Sequence, residues 1–401
     1  MERRVKLSRF SRAGSAVAVG ALALTLAACG SDDPVGGADG STGGSSEGSS
    51  ETASDLSGEL NGAGASSQES AMEAWRAGFQ SANPDVTVNY DPVGSGGGRT
   101  QFLEGGVAFA GSDAVLKEEE ITQSQAVCGP DGAIDLPVYV SPIAIIYNLP
   151  EVAELNLAPA TIAGIFNGTI TQWNAPEIAA DNPDATLPDV AITPVHRSDE
   201  SGTTENFTEY LAATAGDAWG HEPSGDWPTQ GGESAQGTSG VVQTVQGGEG
   251  TIGYADASKA GDLGTAKIKV GEEWVAYSPE AAAKVVDASP RVEGRHEHDI
   301  AVELDRTTTE AGAYPLVLVS YAVACLNYED EATGDLVKAF LTYVSSEEGQ
   351  SASASAAGSA PISEDLRTDV HAAVEAMTVG AGGGRPPGAG GGGGRGGPGG
   401  G

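Results

Sequence analysis

Apolar residues recur with two different periods along the middle of this chain. Val86, Val88 and Tyr90 lie at every second position, as in a half-buried strand. Continuous apolar runs typical of buried strands occupy residues 138–147 and 316–326. Three segments instead show the three- and four-residue spacing of a helix face: Met72, Trp75 and Phe79; Phe207, Tyr210 and Leu211; Leu336, Phe340 and Leu341. Strands that alternate with helices predict an α/β fold in which helices cover a sheet.

Segments of a different composition flank this alternating region. Residues 29–56 are mostly Ser, Gly, Asp and Glu, which is typical of a flexible tether. Residues 378–401 are mostly Gly with some Pro and Arg, and we expect this tail to be disordered because it cannot build a core. With 401 residues in all, the part between them is long enough for a two-domain body.

The first 28 residues have the pattern of an export signal. Five Arg and Lys residues precede an apolar run over residues 16–28, which is too short for a membrane span. The run ends in Leu-Ala-Ala directly before Cys29, an ending that resembles a lipobox, in which the cysteine becomes the lipidated first residue. The alternative is an ordinary secretory signal with an incidental cysteine. We expect the mature protein outside the cell, anchored to the outer face of the membrane by a lipid on Cys29.

The net charge of −36 restricts the partners of the protein. A nucleic-acid-binding surface needs a basic footprint, and docking on anionic lipid needs one too. We therefore predict neither nucleic-acid binding nor electrostatic docking on anionic lipid, and the lipid on Cys29 is the expected contact with the membrane. A small anionic ligand is still compatible, because the donors within a pocket can outweigh a distant negative field.

Two further cysteines, Cys128 and Cys325, would lie in the exported body. An oxidising compartment permits a disulfide between them, and the alternative is two buried thiols.

Four short segments could each offer backbone N–H groups and hydroxyls to an anion. In the first, residues 62–67, Ser66 and Glu69 have the spacing of a capping box at the start of a helix, although a plain capped helix would look the same. The second is the Gly-rich loop 94–100, which follows the first strand and includes Ser95; its alternative is a flexible turn. The third, residues 107–113, is a short strand that ends in Asp113, which could equally be a cap.

The fourth segment, residues 195–204, opens the predicted helix around Phe207. Arg197 supplies a permanent charge and a planar fork that suits a tetrahedral oxyanion, and Asp199 could hold that fork in place. Ser201, Gly202 and Thr203 stand where the donors of a helix N-terminus point outward. A charged surface loop is the alternative when this segment is taken alone.

Other patterns are weaker. The run His296-Glu297-His298-Asp299 could ligate a metal, but no second cluster completes a shell, so we predict a solvated loop and no metal. There is no Gly-x-Ser-x-Gly motif, and Ser201 has no evident base partner, so no catalytic residues are predicted.

Taken together and in this order, the four segments closely resemble the PstS family, the phosphate-binding proteins of bacterial phosphate ABC importers. The resemblance runs from about residue 60 to about residue 366 and includes the segments 170–174 and 250–254. It implies an α/β, two-lobed type II periplasmic-binding-protein fold with a ligand cleft between the lobes. Lobe I would comprise residues 57–139 and 314–377, and lobe II would comprise residues 140–313.

The resemblance also implies a function and a set of ligand contacts. The protein would bind inorganic phosphate, without a cofactor or a reaction, and deliver it to the membrane permease subunits of an importer with its ATPase. The implied contacts are Ser66, Ser67, Ser95, Asp113, Arg197, Ser201, Gly202 and Thr203, with Asp199 in a supporting role. The chain departs from the family pattern at Ala108, at Ser67, where some members use a backbone N–H, and at Glu200, which replaces a common Gly. A secreted phosphatase-like enzyme and a receptor for another oxyanion are the alternatives.

Overall fold

The computed structural model describes residues 56–380. The predicted export signal, Cys29, nearly all of the predicted tether and residues 381–401 lie outside the described part. The strands are β1 Gly58–Gly64, β2 Val86–Asp91, β3 Phe109–Ser112, β4 Ala133–Tyr147, β5 Leu155–Leu157, β6 Thr193–Arg197, β7 Glu233–Ala235, β8 Thr251–Asp256, β9 Gly264–Val270, β10 Glu273–Val275, β11 Val317–Cys325, β12 Asn327–Tyr328 and β13 Thr378–Val379. The helices are α1 Glu69–Ala82, α2 Ser95–Leu103, α3 Glu118–Cys128, α4 Pro159–Phe166, α5 Pro176–Asp181, α6 Gly202–Trp219, α7 Gly237–Gly247, α8 Pro279–Ala288, α9 Glu331–Ser345, α10 Glu347–Ala357 and α11 Glu364–Ala376, with a 3-10 turn at Ala257–Lys259.

One long mixed sheet carries the fold, in the order β2-β1-β3-β11-β4-β8-β6-β7. β1 pairs in parallel with β2 and β3, and β11 runs antiparallel to both β3 and β4. On the other side β8 is antiparallel to β4 and parallel to β6, which is parallel to β7. Helices connect the parallel strands, as the alternating sequence periods predict.

The strand β4 links two parts of this sheet. It is 15 residues long and buried throughout. Residues from Ala133 to Pro142 pair with β11, whereas residues from Ile143 to Tyr147 pair with β8. We call the strands β2, β1, β3 and β11 the first half of the sheet, and the strands β8, β6 and β7 the second half.

Each half of the sheet carries an aromatic cluster of its own. On the first half, the ring of Phe340 lies 5.3 Å from that of Phe79 and 5.6 Å from that of Phe109, centroid to centroid. On the second half, the ring of Phe207 lies 4.9 Å from Phe166 and 4.3 Å from Tyr254. Rings at these separations contribute packing energy beyond their buried area and fix each set of helices on its own part of the sheet.

The strongly periodic segments form the elements that they predict. The alternating segment at Val86 is β2, the apolar run 138–147 lies within the longer strand β4, and the run 316–326 contains β11. The three helical faces lie on α1, α6 and α9. The lobe boundaries stay a prediction: the first would fall inside β4, and the second just before β11. β13 pairs with β12 inside the stretch assigned to the tail, so regular structure continues to Val379.

The prediction that the Gly-rich segment 94–100 forms a loop is wrong. Residues from Ser95 onward form the helix α2. Gly98 explains why: a Cβ there would lie 2.3 Å from the Cα of Gly64, so only glycine lets α2 rest directly on β1. This contact with the sheet offsets the low helix propensity of the glycines.

Cys128 at the end of α3 and Cys325 at the end of β11 are joined by a disulfide, with their Cα atoms 5.0 Å apart. Between residues 56 and 380, none of the helices combines the length and the apolar character needed to cross a membrane.

Candidate functional site

Asp113 is the centre of a ring of hydroxyl groups. It follows β3 directly and is only 4% exposed. Its Oδ1 accepts hydrogen bonds from the hydroxyls of Ser67 and Ser320, each at 2.6 Å, and its Oδ2 accepts one from Thr203 at 2.8 Å. Its backbone N–H donates to the hydroxyl of Ser95 at 3.2 Å. A carboxylate can only accept hydrogen bonds, so the hydroxyls of Ser67, Ser320 and Thr203 are oriented towards one acceptor.

The N-terminus of α6 packs directly against Asp113. Ser201 is the N-cap residue, and its hydroxyl accepts the backbone N–H of Thr204 at 3.2 Å. Gly202 is required by the closeness of this approach, because a Cβ there would lie 2.7 Å from the Cβ of Asp113 and 2.8 Å from the hydroxyl of Ser95. The positive end of α6 therefore lies beside Ser95 and Asp113.

Arg197 ends β6, where it is buried and held by Asp199. Its Nε donates to Asp199 Oδ1 at 2.8 Å and its Nη2 donates to Asp199 Oδ2. Asp199 also accepts the N–H of Gly237 at 3.1 Å. Burial acts to raise the pKa of Asp199, but the hydrogen bonds and charge of Arg197 outweigh it and lower the pKa below its usual value. The arginine fork is thus fixed by an ionised partner.

Two of the predicted segments meet this group from the first half of the sheet. A Cβ on Gly94 would lie 3.4 Å from Nη2 of Arg197, which puts the guanidinium beside the start of α2 and Ser95. Ser66 reaches α7 instead, where its hydroxyl lies 3.1 Å from that of Thr238 and accepts the Thr238 N–H at 3.0 Å.

The capping box predicted for Ser66 and Glu69 is wrong. The N-cap residue of α1 is Gln68, which makes no side-chain capping bond. Glu69 pairs with Lys259 at 2.9 Å. The hydroxyl of Ser66 bonds to α7 instead, where it contacts both the N–H and the hydroxyl of Thr238.

The structure brings the sequence-predicted residues from both halves of the sheet into one buried group. Ser67, Ser95 and Thr203 contact Asp113, while Ser66 and Arg197 lie on the adjoining segments. The side chain of Ser67, whose role was open, points its hydroxyl at Asp113. A group with hydroxyl donors, a helix N-terminus and one fixed guanidinium can hold an oxyanion without any nucleophile or metal.

Ser320 and Thr238 were missed at the sequence level. Ser320 is the polar residue in the apolar run of β11, and it also accepts a bond from Gln68 Nε2 at 2.5 Å. A serine within an otherwise apolar run is the sequence feature that could have identified Ser320. Thr238 follows Gly237 at the start of α7, a further short Gly-Thr-Ser motif at a helix N-terminus.

The run from His296 to Asp299 does not bring its side chains to one point. Asp299 accepts Nη1 of Arg295 at 3.2 Å and the N–H of Asp135 at 3.3 Å. Within the described range 56–380, no three His, Cys, Asp or Glu side chains are grouped so that they could hold a metal ion.

Comparison with known proteins identifies the family. Residues 49–348 match the model of the PBP superfamily domain. The phosphate-binding protein PstS 3 of Mycobacterium tuberculosis is 38% identical over 343 residues, which cover 84% of this chain and 90% of that protein. PstS 2 of the same organism is 36% identical over 344 residues, with 83% and 90% covered.

Solved structures agree in fold. The match to the periplasmic phosphate-binding protein PfluDING, bound with phosphate, covers 79% of this chain and 93% of that protein, with a TM-score of 0.63 and 21% sequence identity. The match to a phosphate ABC transporter substrate-binding protein with bound phosphate from Clostridium perfringens covers 75% of this chain and 98% of that protein, with a TM-score of 0.53 and 22% sequence identity. These likenesses show the two-lobed periplasmic-binding-protein fold. By its sequence and its fold, the chain belongs to the PstS family of phosphate-binding proteins.

Proposed function

We propose that this protein is an extracytoplasmic receptor that binds inorganic phosphate and delivers it to an ABC-type phosphate importer. The observation that carries the proposal is the placement of Asp113, a buried acceptor, between the α6 N-terminus and the hydroxyls of Ser67 and Ser95. Arg197 would supply the positive charge. Relatives at 36–38% identity are named phosphate-binding proteins, which supports the same ligand here.

Besides the guanidinium of Arg197, the predicted contacts offer two kinds of donor. The hydroxyls of Ser66, Ser95 and Ser201 would each give one hydrogen bond to phosphate oxygens, whereas the hydroxyls of Ser67 and Thr203, which donate to Asp113, would act through that carboxylate. Backbone N–H groups at Gly202 and Thr203 would add the helix terminus. These roles are proposals, and binding would be non-covalent with no reaction on the ligand.

Delivery requires partners on a membrane. We propose that the ligand-bound protein docks on the permease subunits of the importer, which a separate ATPase drives. The proposed lipid on Cys29 would keep the receptor near them on the outer face of the membrane, with residues 29–56 as the tether.

Asp113 gives the proposal a sharp test. Phosphate near neutral pH still carries a proton that it can donate to a carboxylate, and so does arsenate, whereas sulfate carries none. A buried site that bonds a ligand's O–H rejects an analogue without it by several orders of magnitude. We therefore expect calorimetric titration to show binding of phosphate and arsenate but little binding of sulfate.

Asp113→Asn should narrow this difference, because an amide can donate as well as accept. The exposed Asp184 provides a matched control, and Asp184→Asn should leave all three affinities unchanged. Wild-type affinity for sulfate close to that for phosphate would replace the proposal with a general oxyanion receptor.

A further inference from the structure

Arg99 on α2 is a buried charge with three side-chain partners. It is 3% exposed. Its Nη1 donates to the hydroxyl of Ser112 at 3.0 Å, and its Nε donates to Glu120 Oε1 at 2.9 Å. Ser112 ends β3 and Glu120 lies on α3, so both partners belong to the same side of the molecule as α2. These two contacts fix the guanidinium in place.

The third partner comes from the other half of the sheet. Nη2 of Arg99 donates to Oε1 of Glu200 at 2.9 Å. Glu200 lies in the short loop between β6 and α6, directly between Asp199 and the N-cap residue Ser201. The ion pair therefore bridges the two halves of the sheet beside the residues proposed to bind phosphate.

Two glycines form a slot for the Glu200 carboxylate. A Cβ on Gly96, in the first turn of α2, would lie 1.5 Å from Glu200 Oε2. A Cβ on Gly225 would lie 2.4 Å from Glu200 Oε1. Any side chain at either position would displace the carboxylate, so the glycines of segment 94–98 accommodate Glu200 as well as the contact with β1.

Opening of the site between the two halves of the sheet would break this bridge. Asp113, Ser201 and Thr203 are each at most 4% exposed, so an anion can reach them only when the segments around them separate. Separation of α2 from the β6–α6 loop breaks the pair of Arg99 with Glu200. An interaction that exists only in the closed arrangement favours that arrangement, and with it the retention of whatever is bound inside.

A second ion pair also links the two sides but is more exposed. Lys259 and Glu69 lie 2.9 Å apart with 24% and 31% of their side-chain surfaces accessible, against 3% and 28% for Arg99 and Glu200. Solvent screens such a pair more strongly, so it contributes less.

We propose that Arg99 and Glu200 form an ion-pair latch that closes over the bound anion and slows its release. They are positioning residues that act through the loop carrying Asp199 and Ser201. Arg99 also gives the Glu200 carboxylate a cationic partner in the wall of an anion site, although it shares its single positive charge with Glu120. The proposal rests on the function proposed above, because the anion is taken to be phosphate.

The test measures phosphate release and stability separately. Radiolabelled phosphate is bound to the full-length protein and chased with excess unlabelled phosphate. Glu200→Gln keeps the shape of the side chain but removes its charge, and we expect release about tenfold faster than in the wild type, the change that corresponds to one weakened charge-assisted hydrogen bond. The proposal takes the pair to form only in the closed, anion-bound arrangement, so the melting temperature without phosphate should be unchanged, whereas a merely structural role would lower it.

Glu154→Gln is the matched control. Glu154 pairs with Lys267 at 3.1 Å on the surface, away from the bridge, and this variant should release phosphate at the wild-type rate. In a double variant that carries Arg99→Gln and Glu200→Gln, the increase in the phosphate release rate should be smaller than the product of the increases in the two single variants, since both changes remove the same contact.

The outcomes separate the two proposals. Normal phosphate binding by the wild type with an unchanged release rate in Glu200→Gln would overturn the latch alone, and so would a lower melting temperature without faster release. Failure of the wild-type protein to bind phosphate would overturn the proposed function together with the latch.

Discussion

At the scale of single residues, Arg197 is the cation whose removal should matter most for the proposed ligand. Arg197→Ala should lower phosphate affinity by about a hundredfold, because two charge-assisted hydrogen bonds would be lost and Asp199 would be left without its partner beside the anion. Arg197→Lys keeps the charge without the fork and should bind with intermediate affinity. Calorimetry on the three proteins measures this order, and unchanged affinity in Arg197→Ala would remove the residue from the site.

Asp256 provides a residue-scale prediction about pH. Burial raises its pKa to about 6, although bonds from neighbours such as Ser258 act to lower it. The hydroxyl of Tyr139 donates to both of its carboxylate oxygens, at 3.1 and 3.2 Å. Between about pH 4 and pH 6 the unfolded chain has lost this proton while the folded protein still holds it. Folding therefore costs more as the pH rises through this window, and the cost stays in place above it.

Asp256→Asn carries no titrating group, so its stability relative to the wild type should increase from pH 4 to pH 7. The expected increase is on the order of 3 kcal/mol, which corresponds to about two pKa units. Denaturant unfolding at both values of pH measures it. A difference between the two proteins that is independent of pH would show that Asp256 has an ordinary pKa in the folded protein.

At the scale of elements, the disulfide ties the end of α3 to the end of β11. The two cysteines are 197 residues apart, so the covalent bond closes a long loop in the unfolded chain. Replacement of both Cys128 and Cys325 by Ser should lower the free energy of unfolding by about 5 kcal/mol in the chain-entropy model. A reducing agent should lower the unfolding midpoint of the wild type and leave that of the double variant unchanged; equal responses of the two would contradict the prediction.

The element α2 shows why the Gly-rich segment could not be assigned from local preference. A run containing Gly96, Gly97 and Gly98 has low helix propensity, and a loop is the better local prediction. The helix forms because Gly98 rests on the backbone of Gly64 and Gly96 faces Glu200. Both contacts come from segments that the local sequence does not specify.

At the scale of the whole molecule, the net charge of −36 sets the field that an approaching anion meets. Salt screens this field over about 8–10 Å near physiological ionic strength. The association rate of phosphate should therefore rise modestly as salt is added, the reverse of a positively steered site. Stopped-flow measurements over a range of ionic strengths measure the trend, and a rate that falls steeply with salt would show that a local positive funnel dominates.

The sequence by itself determined the local features of this protein. The apolar periods predicted β2, β4 and β11 with the helices that cover them, because burial on one face is written into neighbouring residues. The cap at Ser201 is also a local feature, because its partner Thr204 is only three residues away. The order of the four donor segments also indicated the family before any geometry was known.

Only the tertiary structure decided which hydroxyls and charges meet. Ser66 bonds Thr238 across 172 positions instead of capping its own helix, and Ser320 reaches Asp113 across 207. Arg99 selects Glu200 across 101 positions. A hydroxyl or a guanidinium has several suitable partners in any sequence, and the one it takes depends on which segments packing brings within about 3 Å. That distance is a property of the assembled sheet and helices, so it is absent from any local pattern.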